Sequence, residues 1–170
     1  MTKTPARSQK ILIKLLSFCP ALGILFLIFG FSAQDGESSG SLSFRISLFL
    51  VELFSPVLPA SSLRTTAYER AELIHLFVRK AAHMTEYFLL ALSLQLPLAA
   101  CPAKQIHWKK RIGIGFVFTV LFAALDEFHQ RFVPGRSGNL TDVCIDSVGA
   151  LLASGILAVF FMFSKRKNKT

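Results

Sequence analysis

Residues 126–146 read DEFHQRFVPGRSGNLTDVCID: four carboxylates, two arginines, a histidine and two glycines between the apolar runs 112–125 and 148–163. A polar island in that setting is a connection between membrane helices, a site, or both, and its edges decide. Asp126 and Glu127 follow directly on one apolar run, and Asp142 and Asp146 open the next, so the acids belong to helix ends. The middle, PGRSG at residues 134–138, is a tight turn whose glycines are available for positive φ.

Composition supports a membrane setting. Of 170 residues, 52% are hydrophobic, 17 are Phe, and the mean hydropathy is +0.52, too apolar for an ordinary soluble domain. The formal charge of +9 does not imply nucleic acid, because Lys and Arg gather in short clusters that flank the apolar runs. Cys19, Cys101 and Cys144 suggest no disulfide pair and are expected to act as small apolar packing residues. No cofactor is implied, and the oligomeric state is not legible.

The expected fold is all-α: one domain, residues 1–170, with four transmembrane helices at about 13–33, 76–101, 112–130 and 142–164 and a short interfacial helix. The first apolar run is longer than a signal-peptide core, and Phe31 stands where a cleavage site needs a small residue, so it reads as a retained helix. Residues 34–43, QDGESSGSLS, read as a polar turn segment. Residues 45–54 are apolar, but about ten residues cannot span a core of ~30 Å. They suggest a helix lying at the interface or tucked onto the bundle, closed by Pro56 and Pro59. The second main helix, charged in its first half, can begin as early as Glu69.

Basic clusters precede the first helix, join the second to the third (Lys104, Lys109, Lys110, Arg111) and follow the fourth (Lys165, Arg166, Lys167, Lys169). Four crossings with both termini cytoplasmic satisfy the positive-inside tendency and turn residues 126–146 outward. At ~1.5 Å per residue, Asp126 lies ~23 Å from Arg111, Asp146 ~29 Å from Lys165, and His83 and Glu86 ~32 and ~27 Å from Lys104. Ionisable groups at such depths are costly in lipid and should face the bundle interior or a wet cavity.

Helical spacing lets them converge. Arg79, His83 and Glu86 share one face, Asp126, His129 and Gln130 a second, and Asp142, Asp146 and Gly149 a third. With Lys80, Glu127 and Arg136 these residues, Gly149 apart, are the candidate ligand-binding set. Lys80 and Arg131 can instead snorkel to the interface. Thr141 is placed to cap the fourth helix, and Gly113, Gly115, Gly149, Ala153 and Ser154 suit close helix packing.

RKAAHMTEY (residues 79–87) and ALDEFHQRFVPGRSGNLTDVCIDSVGA (residues 124–150) resemble the two signature stretches of the VanZ-like membrane proteins. Asp146 departs from the pattern, at a place where that family favours Asn. The resemblance implies a multi-pass protein of the cell membrane and envelope, linked to low-level resistance to teicoplanin-type lipoglycopeptides. It supplies no reaction, so whether the chain is an enzyme stays open.

Three roles fit the residues. The polar groups can be structural, a buried ion-pair network joining helices, as in an accessory membrane protein. Arg79, Arg136 and Lys80 can hold a phosphate or carboxylate of a membrane lipid, an anionic headgroup or a lipid-linked wall precursor, with His83 and His129 as hydrogen-bond partners. Metal-dependent hydrolysis is the third, since His83 with Glu86, and Asp126 or Glu127 with His129, are ligand types for Zn or Mn. No HExxH is present, and no metal is assigned.

Overall fold

The computed structural model describes residues 7–57, 65–100 and 106–167, which form seven α-helices, one 3-10 turn and no strand. The helices are α1 (Arg7–Leu16), α2 (Cys19–Ser32), α3 (Gly36–Phe54), α4 (Ala67–Ser93), α5 (Gln95–Ala100), α6 (Trp108–Gln130) and α7 (Leu140–Lys167). The fold is the all-α membrane architecture expected. Cys101, Lys104 and Pro59 lie outside the described residues.

Proline sets two of the breaks. A proline has no N–H to give and its ring crowds the carbonyl four residues back. Four residues before Pro20 is Leu16, the last residue of α1, and four before Pro97 is Ser93, the last of α4. The first crossing is therefore interrupted, as α1 and α2, and the second main helix stops at Ser93 and resumes as α5.

Four segments are long and apolar enough to cross a membrane: Ile11–Ser32, Gly36–Val57, Trp108–Gln130 and Leu140–Ser164. Three match expected spans. The fourth is α3 with the 3-10 turn Ser55–Val57, where the sequence suggested a short interfacial helix after a polar turn. Serine explains the difference. Asp35 caps α3 by accepting the Ser38 main-chain N–H at 2.6 Å, and the following serines return their hydroxyls to carbonyls three or four residues back. Ser43 and Ser47 are buried, in a helix that packs on α4.

The expected span over residues 76–101 does not qualify as an apolar crossing, since α4 carries Arg79, Lys80 and Glu86. It is nonetheless the axis of the fold, contacting α2, α3, α6 and α7. A complete capping box, Thr66 with Glu69, starts it. In lipid, helices gain little from burying apolar surface and associate through close packing of small residues. Accordingly Ala71, Ala91, Ala123, Ala150 and Ala153 are buried, and a Cβ at Gly149 would fall on the Met84 carbonyl. Gly115 likewise faces Gln95, but Gly113 packs against nothing, contrary to expectation.

Polarity is inverted relative to a soluble domain. Phe26 is 79% exposed while Asp126 is 1% exposed. Cys19 and Cys144 are also exposed, so they are not packing residues.

Helices α4 and α7 run parallel, with Lys80 beside Asp142 and Met84 beside Gly149, and α6 runs against α7. Helix α3 runs back along α4, its Phe44 ring 4.8 Å from Tyr68. Lys80 is level with the start of α7, so the first turns of α4 and the end of α3 project beyond the bundle by up to ~20 Å. All polar groups of interest sit where this projection joins the bundle.

Candidate functional site

Two turns dock backbone to backbone at that junction. The Gly36 N–H donates to the Pro134 carbonyl at 3.0 Å, and Gly135, with φ of 70°, lies against Gly36 so closely that a Cβ on Gly36 would meet the Gly135 carbonyl. Glycine is required at both places, at one for conformation and at the other for space.

Arg136 fastens the junction. Its Nη2 donates to the Phe31 carbonyl at 2.9 Å, its Nε to the Gln34 carbonyl at 3.1 Å, and its Nη1 reaches Gln130 Oε1 at 3.5 Å. No carboxylate pairs with it among the described residues. Burial, and next the charge of Arg79, hold its guanidinium below the ordinary arginine value, so the two cations feel one another. Asp35 in the adjoining turn is held below the usual carboxylate range by the Ser38 main-chain N–H.

The end of α6 supplies the floor. Ser32 donates to Asp126 Oδ2 at 2.6 Å, and Gln130 Nε2 lies 3.0 Å from both. The other Asp126 oxygen and the Tyr87 hydroxyl are buried with no hydrogen bond among the described residues. Glu127 accepts the Asn139 N–H at 3.0 Å. Asn139 in turn caps α7, accepting the Asp142 N–H and donating to the Asp142 carboxylate, each at 3.0 Å. The cap is thus Asn139 and not Thr141, because α7 begins one residue earlier than Thr141. Lys80, expected to be able to snorkel, pairs with Asp142. Arg131 lies outside this junction, its Nε 3.4 Å from the Gly138 carbonyl.

Between α4, α6, α7 and the turn lies a cavity of ≈160 Å³ lined by Arg79, Lys80, His83, Glu127, Gln130, Arg136, Asp142 and Asp146, with Leu76, Gly135, Ser137 and Ile145. A second cavity, ≈130 Å³, lies on the α3 side and is more apolar, with Phe31, Leu42, Ile46, Val78 and Ala82 in its wall. Arg79, His83 and Arg136 line both. The two spaces meet at two guanidinium groups and an imidazole.

Eight of the eleven candidate residues therefore share one cavity. Glu86 does not: it lines the second cavity, its Oε2 3.2 Å from His83 Nδ1 without hydrogen-bond geometry. Asp126 lies buried with Ser32 and lines neither space. His129 points away from the cavity, exposed, its ring 6.3 Å from Phe29 of α2. The sequence reading missed Ser32, Asn139 and the carbonyls of Phe31 and Gln34. Only Asn139, three residues before Asp142, had a visible signal, that of a capping pair.

The ion pairs among the described residues are Lys80 with Asp142 and, if protonated, His83 with Glu86. The expected network of buried pairs is sparse, and Arg79 enters neither. No three His, Cys, Asp or Glu side chains among the described residues converge as a metal site would need.

No curated protein and no solved structure matches the chain. A family model described as VanZ/LLP1 matches residues 11–162, which takes in both signature stretches and all seven helices of the bundle except their outermost residues. With four segments able to cross a membrane and a match over most of its length, the chain is a membrane protein and belongs to the VanZ/LLP1 family.

Proposed function

We propose that the chain binds the phosphate of an amphiphile, a lipid headgroup or a lipid-linked wall precursor, between Arg79 and Arg136 at the outer face of the cell membrane. The observation that carries this is the position of the two guanidinium groups, on the border between a polar and an apolar cavity. An amphiphile has the same partition: a charged head for one space, a glycerol or acyl portion for the other, and a phosphate where they join. Arg79 forms no hydrogen bond or ion pair among the described residues, and Arg136 is held by carbonyls and an amide, so both keep charge for an anion.

The orientation is part of the proposal. Basic residues 109–111 sit at the start of α6 and residues 165–167 at the end of α7, the opposite end of the bundle from the docked turns. The positive-inside tendency puts that basic end and both termini in the cytoplasm and the cavity at the outer leaflet. Occupation or alteration of an envelope lipid there is a route to reduced susceptibility to teicoplanin-type lipoglycopeptides, which themselves carry a lipid tail. Among the described residues, the sparse ion pairs weaken the purely structural reading, and the lack of a converging ligand set weakens the metal-dependent one.

Purified protein should retain lipid phosphorus through detergent exchange, and Arg79→Ala should lose most of it while remaining monodisperse. Equal phosphorus in both would remove the reading.

A further inference from the structure

Asp146 has no hydrogen-bond or ion-pair partner among the described residues. It is 3% exposed and lines the polar cavity, yet among the described residues it accepts no hydrogen bond and joins no ion pair. Its neighbours are occupied: Asp142 is taken by Lys80 and Asn139, and Glu127 by the Asn139 N–H. A buried carboxylate without a donor is costly, so a group that supplies one has a place to go. Arg79, which pairs with no carboxylate among the described residues, does not come within ion-pair distance of it. Among the described residues the cavity thus holds one guanidinium and one carboxylate with no protein partner, apart from each other.

Its lining also carries both signs. Arg79, Lys80 and Arg136 line it together with Glu127, Asp142 and Asp146. A chamber of that kind suits a ligand that carries both signs better than one that is only anionic.

We infer that the ligand is a zwitterionic phosphodiester lipid of the phosphoethanolamine type, its phosphate between Arg79 and Arg136 and its protonated amine on Asp146. The inference rests on the phosphate reading above and names the group beyond the phosphate. Size permits it: a cavity of about 150 Å³ holds a benzene-sized ligand, and this one, at ≈160 Å³, has to take only the headgroup. The chain beyond the phosphate would enter the apolar cavity past Phe31, Leu42 and Ile46. Asp146 is then a specificity-determining contact, and no chemistry is asked of it.

The test is competition on full-length protein in detergent, exposed to equimolar phosphatidylethanolamine and phosphatidylglycerol, with bound lipid counted by native mass spectrometry. The wild type should favour phosphatidylethanolamine by about tenfold, the scale of one charge-assisted hydrogen bond. Asp146→Asn should bring the ratio near one, by loss of bound phosphatidylethanolamine and not of phosphatidylglycerol. Phosphatidylcholine, which keeps the charge but has no N–H, should bind the unmodified protein more weakly than phosphatidylethanolamine, a comparison that needs no variant. A wild-type ratio near one, or an Asp146→Asn ratio equal to that of the wild type, overturns the amine contact. Failure of the wild type to hold either lipid, or full retention of both by Arg79→Ala, overturns the phosphate reading beneath it. Soluble phosphoethanolamine binding as tightly as the lipid overturns the lipid half alone.

Discussion

Arg136, on the turn between α6 and α7, donates to the Phe31 carbonyl at 2.9 Å, across 105 residues of chain. Phe31 is in the last turn of α2, where its carbonyl has a main-chain donor only three residues on, the Gln34 N–H at 3.3 Å, so Arg136 completes the end of the first crossing and lines both cavities. Fold and site share this residue.

Arg136→Lys should therefore fail to substitute. An ammonium cannot present the planar fork that reaches Phe31, Gln34 and Gln130 together. Loss of one hydrogen bond to a charged donor is worth about 1.5–3 kcal/mol, and the unfolding midpoint in detergent should fall accordingly. A midpoint unchanged within error would show that the turn is held by something else.

The glycines give a sharper contrast. Gly36→Ala drives a Cβ into the Gly135 carbonyl, and Gly135→Ala must hold alanine at a φ of 70°, a conformation costing about 1–2 kcal/mol. Gly40, one turn along α3, has open space around its Cα, and there Ala should stabilise by about 0.5–1 kcal/mol. Chemical unfolding of the three variants should order Gly40→Ala above wild type and the other two below it. Any other order contradicts the docked-turn geometry.

Much of this site was legible in sequence because it repeats at helical spacing: Arg79 with His83, Asp126 with Gln130, and Asp142 with Asp146 each return to one face of their helix. His129 was misplaced for a reason spacing cannot resolve. At about 100° per residue it lies on one flank of Asp126 and Glu127 on the other. Only tertiary packing decides which flank meets α7, and the Asn139 N–H took Glu127 while Phe29 of α2 took the His129 side. Helix α3 was read too short because Gly and Ser are weak helix formers on their own. Its Asp35 cap and the returns of Ser hydroxyls to its own carbonyls show how the run is held as helix. Carbonyl acceptors such as Phe31 and Gln34 carry no sequence signal at all.

Asp35 makes the α2–α3 turn sensitive to acid. Its carboxyl titrates below the ordinary aspartate value in the folded chain because the ionised form accepts the Ser38 N–H. The unfolded chain binds the proton at higher pH, so the cap's contribution is complete above the unfolded value and is lost as pH falls through the lower, folded one. Asp35→Asn should retain the cap and lose this acid dependence. Stability of wild type and Asp35→Asn compared between pH 6 and about pH 3 should diverge toward acid, and parallel curves would exclude the effect.

Orientation is open to direct labelling. Ser137 is exposed on the turn that lines the cavity. With the native cysteines replaced, Ser137→Cys in intact cells should react with a membrane-impermeant maleimide added outside. Reaction only after the membrane is opened would reverse the assigned topology and move the cavity to the inner leaflet.

The most direct measurement is a cryo-electron microscopy map of the protein in lipid nanodiscs, enlarged by a rigid binder. Binding of a phosphate between Arg79 and Arg136 predicts tetrahedral density there, continued as a chain into the space beside Phe31 and Ile46. A map in which that space is empty, with Arg79 turned onto Asp146 to close the cavity as an ion pair, would contradict the account and return these residues to a structural role.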